Sequence, residues 1–369
     1  MRLRHTSSEA QSATPAMPPK SPKHRKQKAS KAGAPQPRSS QRASQQQPAH
    51  RASWQDLSFD PRRADPAFPN VPLRWLLRAF AFTLVAVVVC AWALFGYLYW
   101  QGSWQLLYHP VRTVERTPAS RSLPFQWIHL DADETGVAHL TAWWIPAGES
   151  IPQSAVLVLH GADGNLADTL PLDTWLHAQN QSVLALDYRG YGSSSNGKPS
   201  EKQLRHDALA ALHWLADTKH IPHGAILVWG SGIGADLAAQ LGSDPSLIGG
   251  IILDQPIAHP LDVLWNDPRS RLVPARLLQP DRYDLEHDAA GIAVPSLWLL
   301  PNGAPRPAAY EHVETHKTAV WMQSPFEDDA NAASTFTRWL DGISRTDGIS
   351  RTGGISSGHA MPRMATQPR

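Results

Sequence analysis

The sequence is poor in cysteine and in net charge. Its one cysteine, Cys90, lies in an apolar run of a 369-residue chain. A single cysteine excludes an intrachain disulfide and a thiolate metal cluster. No histidine pair stands at ligand spacing beside carboxylates, and no nucleotide or flavin motif is present, so we expect no metal and no cofactor. The 15 tryptophans, in contrast, favour a substantial folded core.

The small net charge of +2 hides an uneven distribution along the chain. Residues 1–70 contain 13 Lys/Arg and only 4 Asp/Glu, so the remainder is acidic. This segment is rich in Pro, Ser and Gln and has no apolar periodicity, which predicts a disordered basic tail. The stretch PPKSPKHRKQKASK could contact nucleic acid or anionic lipid. A solvated cytoplasmic tail is the favoured interpretation, and nucleic acid is not an expected partner.

An uncharged run of 22 residues, 79–100, reads AFAFTLVAVVVCAWALFGYLYW. It is long enough to span a bilayer as a helix, the alternative being a buried soluble helix. A signal peptide is disfavoured, because the basic region and the apolar run are both too long and no small-residue cleavage site follows. Arg74 and Arg78 precede the run. The positive-inside rule then predicts a single-pass protein with a cytoplasmic N-terminus and an extracytoplasmic main domain, periplasmic in a Gram-negative bacterium.

The remaining chain divides into a domain and a tail. Residues 341–369 open with the near-repeat DGISRT-DGISRT-GGISSG and are predicted to be a low-complexity, disordered tail. Residues 104–340 alternate apolar runs with helical patterns, which predicts an α/β domain with a mostly parallel sheet covered on both faces. The predicted strands include SAVLVLHG, SVLALDYRG, AILVWG, LIGGIILDQP, VPSLWLLP and TAVWMQ, after a hairpin with its turn near 133–136.

Three motifs follow one another in this domain: LVLHGADGN, LALDYRGYGSSSNGKPSE and LVWGSGIGADLA. Behind an apolar span they resemble the membrane-anchored branch of the α/β-hydrolase superfamily, which carries HGxxGN, DYRGYGxSxGxPSE and GxSxG motifs. The resemblance covers roughly residues 104–340. It implies the α/β-hydrolase fold, with a mostly parallel eight-stranded sheet and helices on both faces. It also implies hydrolysis of esters, thioesters or amides by a Ser-Asp-His triad.

The nucleophile position is the first departure from the family pattern. In GSGIG, the residue centred between the flanking Gly230 and Gly234 is Gly232, while Ser231 stands one position early. Centring the pattern on Ser231 would place bulky residues where the turn needs glycine. We therefore predict that Gly232 occupies the nucleophile position and that Ser231 is the alternative nucleophile.

The two other triad positions are substituted as well. The acid position, after the strand in VPSLWLL, falls at Ala304, and no Asp or Glu lies between Leu297 and Tyr310. The histidine position falls at Phe326, and no histidine lies between Lys317 and Gly358. By resemblance, an oxyanion loop is retained in His160, Gly161 and Ala162, together with Ile233 after the elbow.

Other polar residues have simpler interpretations. Asp254 ends a strand where some hydrolases carry the acid, but it could equally cap the next turn. His259, His287, His312 and His316 are predicted to lie at the surface. Asp187, Arg189 and Tyr191 of the DYRGYG motif are predicted to hold a loop at the mouth of the site.

Two functions follow from these residues. The first is an inactive pseudo-hydrolase, a binding or scaffolding module for a lipid-like or acyl ligand near the membrane. The second is an active serine-type hydrolase that uses Ser231.

Overall fold

The computed structural model describes residues 71–148, 154–323 and 325–346. The predicted disorder of residues 1–70 lies outside the described residues, and so does most of the predicted tail, from 347 on. The first six residues of that tail, 341–346, are helical, because they complete the last helix of the domain. The folded domain therefore extends past the boundary predicted at 340.

The first helix, α1, covers Leu73–Gly102 and begins directly after Pro72. It is longer than the predicted span of 79–100 at both ends. A single helical stretch of the described chain, Leu73–Leu106, is long and apolar enough to cross a membrane. At 1.5 Å per residue, α1 is about 45 Å long and exceeds a hydrocarbon core of about 30 Å.

Eight strands form one mixed sheet in the spatial order β1-β2-β4-β3-β5-β6-β7-β8. The β1–β2 and β2–β4 pairs are antiparallel, and the five other neighbouring pairs are parallel. The parallel part confirms the strands read from the continuous apolar runs. The bounds are β1 Gln126–Ala132, β2 Ala138–Ile145, β3 Ala155–Leu159, β4 Ser182–Asp187, β5 Ile226–Ser231, β6 Gly250–Asp254, β7 Ser296–Pro301 and β8 Lys317–Met322. A separate two-residue parallel pairing joins His109–Pro110 to Asp163–Gly164.

The predicted hairpin between β1 and β2 is confirmed. Its turn is closed by Gly136 N donating to Asp133 O at 2.9 Å, and Gly136 adopts a φ of 81° that favours glycine. The Asp133 carboxylate accepts hydrogen bonds from the backbone N–H groups of Thr135 and Val137. The turn residues therefore fix the register of the antiparallel edge.

Helices cover both faces of the sheet, as predicted. On one face, α3 and α4 bury side chains such as Leu204 and Leu237 in the larger apolar cluster. On the other face, α2 and α9 bury Leu176 and Phe336 in the second cluster. The bounds are α2 Leu170–Ala178, α3 Glu201–His213, α4 Ile233–Leu241, α5 Asp262–Trp265, α6 Ala275–Leu278, α7 Leu285–Ala290, α8 Ala308–His312 and α9 Ala330–Thr346, with short 3-10 turns at Ser103–Leu106, Pro118–Arg121, Leu166–Thr169, His223–Ala225, Pro268–Arg271 and Phe326–Asp328 and a π-helical turn at Trp214–Thr218.

The helix α3 begins with a serine cap, and the residue three positions later makes a different contact from that of a capping box. Ser200 is the N-cap, and its hydroxyl accepts a hydrogen bond from Gln203 N at 3.4 Å. The Gln203 amide, however, donates to Asp207 Oδ1 at 2.9 Å. The reciprocal contact is replaced because Asp207 is a buried carboxylate one turn further along the helix.

Residues 255–284, between β6 and α7, form the cap segment, which includes α5 and α6. Its C-terminal part is fixed by a buried contact, since Tyr108 Oη donates to Asp281 Oδ2 at 2.8 Å. Asp281 Oδ1 also accepts from Glu201 N at the start of α3. The cap segment is thereby joined both to the chain that leaves α1 and to the body of the domain.

Candidate active site

The centre of the candidate site is the sharp turn between β5 and α4. The strand ends at Ser231, the helix begins at Ile233, and Gly232 between them has φ 57° and ψ −117°. A non-glycine residue in such a conformation costs about 1–3 kcal/mol. A side chain at this position would have room, because the nearest heavy atoms to a Cβ on Gly232 are Gly161 Cα and Ile257 Cδ1, both at 3.8 Å.

The flanking glycines, in contrast, have no room for a side chain. A Cβ on Gly230 would overlap the backbone carbonyl of Gly234. A Cβ on Gly234 would overlap Leu159 O and come within 2.8 Å of His160 O. Strand and helix approach closely on both sides of Gly232, as an elbow centred on this residue requires.

Ser231 points to the neighbouring strand and interacts with Asp254. Ser231 and Asp254 are register partners at the ends of β5 and β6, and the Ser231 hydroxyl donates to Asp254 Oδ2 at 3.0 Å. Trp229 Nε1 donates to the same oxygen at 3.4 Å. Burial raises the pKa of the Asp254 carboxyl, and the hydrogen bonds from Ser231 and Trp229 oppose that rise. The sequence left two interpretations open for Asp254, the acid of a triad or a turn cap. The contact observed is a different one, because the side chain accepts hydrogen bonds from two side chains of β5.

The HG loop follows β3 and runs beside the elbow. His160 is buried between tyrosine rings, with ring centroids 4.5 Å from Tyr188 and 4.9 Å from Tyr191. Its Nδ1 lies 2.8 Å from Gly161 O. Burial lowers the pKa of His160 to about 4, so its imidazole is neutral at physiological pH. The ring therefore shapes the loop, while Gly161 is the residue that approaches Gly232.

The DYRGYG loop contacts and supports the HG loop, as expected of residues predicted to have a structural role. Tyr191 Oη donates to Ala162 O at 2.8 Å. The buried Asp187 carboxylate accepts from Leu166 N at 2.9 Å and from Ser193 N at 3.2 Å. Arg189 is fixed in turn by Asp207, which accepts from its backbone N at 2.8 Å and from Nε at 2.7 Å. Burial raises the pKa of Asp187 to about 6.

Ala304, at the predicted acid position, lies in the turn after β7. Its N–H donates to Pro301 O at 3.0 Å, and its carbonyl accepts from Trp321 Nε1 at 2.8 Å. Arg306 lies over the Trp321 ring, with its guanidinium carbon 5.3 Å from the ring centroid. The turn is therefore held by backbone and aromatic contacts, and a methyl group stands at the position predicted for the acid.

Phe326, at the predicted histidine position, follows β8 in a 3-10 turn and is buried. Its ring makes edge-to-face contacts with Trp175 and Trp229, at centroid distances of 4.7 and 4.6 Å. These contacts belong to the apolar cluster that α2 and α9 cover. The position is thus part of the core, in an environment that disfavours an imidazolium.

Of the predicted site residues, the structure brings Gly161, Gly232 and Ile233 together at one turn, with Ser231 beside them. Ile257 of the cap segment was not predicted, and it lies against the elbow. No pattern in the sequence points to Ile257, because the path of a segment between two strands has no periodicity. The four histidines predicted at the surface, His259, His287, His312 and His316, are all exposed.

Comparisons with known proteins give sequence relatives over part of the chain. No protein-family model matches. The chain is 27% identical over 177 residues to "Uncharacterized protein YfhR" of Salmonella typhi, covering 44% of this chain and 59% of that protein. It is 30% identical over 166 residues to an uncharacterized protein of Mycobacterium tuberculosis, covering 45% of this chain and 58% of that one. The chain thus spans slightly less than three fifths of the length of these curated relatives.

Two hydrolases are among the solved structures with a similar backbone fold. The esterase Pf2001 of Pyrococcus furiosus has a TM-score of 0.49 and 19% identity, covering 65% of this chain and 97% of that chain. An alpha-beta hydrolase of Vibrio vulnificus has a TM-score of 0.45 and 20% identity, covering 61% and 82%. The strand order of the sheet and the sharp turn at Gly232 identify the fold. By these two features the chain has the α/β-hydrolase fold.

Proposed function

We propose that this protein is a membrane-anchored pseudo-hydrolase of the α/β-hydrolase fold, which binds a ligand and does not hydrolyse it. The observation that carries the proposal is the glycine at the elbow. Acyl transfer by this fold needs a hydroxyl oxygen at the centre of the turn, activated by a nearby base. Gly232 has the backbone angles of that position and has no side chain to attack with.

The surroundings of the turn support the same proposal. The position of the acid is occupied by Ala304, whose carbonyl accepts from a tryptophan. The position of the base is occupied by Phe326, which packs in an aromatic cluster. A serine restored at 232 would therefore have neither a base nor a group to orient one.

The ligand that we propose is lipid-like or acyl. Two observations support this choice: the cap segment lies beside α1, and Ile257 of the same segment places an apolar side chain next to the elbow. The HG loop residues His160, Gly161 and Ala162, with Ile233, would line the polar end of such a ligand, as an oxyanion loop does in active serine hydrolases of this fold. An apolar ligand that approached from the bilayer would pass the cap segment first.

A second candidate function, an active serine hydrolase that uses Ser231, is favoured by one observation. The Ser231 hydroxyl contacts a carboxyl group whose pKa is raised by burial, and a raised pKa makes a carboxylate a stronger base. Among the described residues, this hydrogen bond is the only one that the Ser231 hydroxyl makes. The hydroxyl therefore faces a carboxylate where an active site of this fold would offer an imidazole.

For the orientation we propose a cytoplasmic N-terminus and an extracytoplasmic main domain, which is periplasmic if the host is a Gram-negative bacterium. Arg74 and Arg78 near the start of α1 support it, together with the basic segment before them. In this orientation the basic segment would lie in the cytoplasm.

The deciding experiment treats the full chain, in proteoliposomes, with a fluorophosphonate probe and with short- and long-chain p-nitrophenyl esters. We expect no labelling and no turnover above vesicles alone, while an established serine esterase in the same vesicles reacts fully. Gly232→Ser and the triple variant Gly232→Ser/Ala304→Asp/Phe326→His serve as rescue variants, and we expect no turnover from the first. Ser195, a half-buried serine that follows the DYRGYG motif, serves as the control. Labelling of the natural protein that Ser231→Ala abolishes and Ser195→Ala leaves intact would establish the second function instead.

A further inference from the structure

The cap segment meets α1 well before the end of the helix. Trp92 Nε1 donates to the backbone carbonyl of Leu272 at 2.7 Å, although the two residues are 180 positions apart. Further along α1, a Cβ on Gly96 would be 3.8 Å from Val273 Cγ1. Tyr99 packs in a small cluster with Val273 and Ala275, to which Phe95 and Leu278 are adjacent.

The depth of this contact follows from the length of the helix. Trp92 is the twentieth residue of α1, and a helix needs about 20 residues to cross a hydrocarbon core. If the core begins at Leu73, it ends near Trp92. If it begins at Ala79, it ends near Leu98, about 9 Å beyond Trp92 at 1.5 Å per residue. In both registers the carbonyl of Leu272 lies at the membrane surface or below it.

The side chains around Leu272 suit that depth. Leu272 is 62% exposed and Leu277 is 86% exposed, a large apolar area if water surrounded it. Arg271 and Arg276 are exposed on the same short stretch, and the Arg276 guanidinium carbon lies 5.7 Å from the centroid of the Trp265 ring. Leucines beside arginines and a tryptophan are typical of segments that lie in the membrane interface.

Several backbone N–H groups of the stretch have hydrogen-bond partners within it. Backbone N–H groups without partners are costly in a bilayer. Here Leu272 N donates to Arg269 O, and Leu277 N and Leu278 N both donate to Pro274 O. Pro274 has no N–H to satisfy.

From these observations we infer that residues 268–279 of the cap segment are a second membrane-contacting element. Leu272 and Leu277 insert into the leaflet on the domain side, and Arg271 and Arg276 contact anionic headgroups. The inference rests on the part of the proposed function in which α1 spans the bilayer. It adds that the cap segment is anchored in lipid at its outer face while it contacts the elbow through Ile257.

The test uses site-specific fluorescence quenching of the full chain in vesicles of 70% phosphatidylcholine and 30% phosphatidylglycerol. The natural Cys90, exposed on α1, carries an NBD label as the positive control for the span. In a Cys90→Ala background, the label is placed at Leu272→Cys, at Leu277→Cys and at Val137→Cys. Val137 is 59% exposed in the β1–β2 turn and serves as the matched apolar control.

We expect labels at 272 and 277 to be quenched several-fold more by lipids with a doxyl group at acyl carbon 5 than by iodide, with emission at shorter wavelength. The label at 137 should show the reverse. If Cys90 is lipid-quenched while 272 and 277 respond like 137, the inference is wrong and the span stands. If Cys90 itself is quenched by iodide, the span fails, and the inference fails with it.

The arginines have a separate readout. In vesicles of phosphatidylcholine alone, lipid quenching of the label at 277 should fall relative to the anionic vesicles. Arg271→Gln/Arg276→Gln should remove that difference between the two lipid compositions. Equal quenching in both compositions for the natural arginines would overturn their assignment to anionic headgroups.

Discussion

The hydroxyl of Ser231 and the carboxyl of Asp254 are joined by a 3.0 Å hydrogen bond across the ends of β5 and β6. The bond gives this serine a structural explanation, since it partly satisfies a carboxyl group whose pKa burial raises. When the pKa of a carboxyl group is higher in the folded than in the unfolded state, the protein loses stability as the pH rises from the unfolded-state pKa through the folded-state pKa.

Two substitutions separate the structural and catalytic explanations of this pair. Ser231→Ala should lower the free energy of unfolding by about 1 kcal/mol, since it removes one partner of a buried acceptor. Asp254→Asn should leave stability at pH 7 unchanged or higher, because the amide carries no buried charge. Denaturation of the full chain in micelles, followed by tryptophan fluorescence at pH 5 and pH 8, measures both effects. A loss of several kcal/mol on Asp254→Asn at pH 8 would contradict this account.

The three glycines of the elbow should respond differently to substitution. Gly232→Ser should fold and lose about 1–3 kcal/mol, because its position has space and only the backbone angle is unfavourable. Gly234→Ala should prevent accumulation of folded protein, since the added methyl group overlaps backbone that cannot move freely. Expression yield and thermal melting in micelles compare the two. Equal tolerance at both positions would mean that the elbow is not centred on Gly232.

The contrast between Gly232 and the cap segment shows what the sequence could predict. The register of the elbow was readable because two close approaches require Gly230 and Gly234 at fixed distances from the centre. The central strands were readable because burial on both faces makes runs such as AVLVL continuously apolar. The hydrogen bond from Trp92 to the Leu272 carbonyl and the pairing of Ser231 with Asp254 were not, because both join residues far apart in sequence through contacts without a local pattern.

His160 should account for part of the stability that the protein loses at acid pH. The pKa of His160 is lowered from 6.5 to about 4 by burial, so the folded state resists its protonation. Its contribution to stability is present above pH 6.5 and is lost as the pH falls towards 4, by about 2–3 kcal/mol at pH 4.5. His160→Gln should therefore lose less stability than the natural protein between pH 7 and pH 4.5.

The neighbouring Asp187 has the opposite effect. Its pKa is raised to about 6, so its contribution to the stability of the folded state is lost as the pH rises. Because Asp187 Oδ1 lies 3.9 Å from His160 Nε2, the two groups titrate as a pair, and the comparison is made in an Asp187→Asn background, where the difference between the unfolding curves reports on His160. Parallel curves across this pH range would show that His160 is solvated or charged in the folded state.

The orientation of the chain can be tested with alkaline phosphatase, which is active only after export. Fused after Arg369, it should be active, and a fusion that replaces the chain after Asn70 should not be. The prediction follows from the arginines that precede the apolar part of α1. The reverse pattern would place the domain in the cytoplasm. Fusion after Leu340 is unsuitable, because α9 continues to Thr346.

The end of α9 gives the last prediction. Truncation after residue 346 should leave the melting temperature unchanged, whereas truncation after Leu340 should lower it, although both remove sequence of the predicted repeat tail. The shorter chain loses Ile343, which is 7% exposed in the cluster that contains Phe336 and Trp339. Burial of an isoleucine side chain contributes about 1.5–3 kcal/mol. Ile343→Ser in the full chain should reproduce most of the loss, while Ile355→Ser, in the third repeat unit, should not. If the proteins truncated after Leu340 and after residue 346 have the same melting temperature, the helix beyond Leu340 contributes nothing to the stability of the fold.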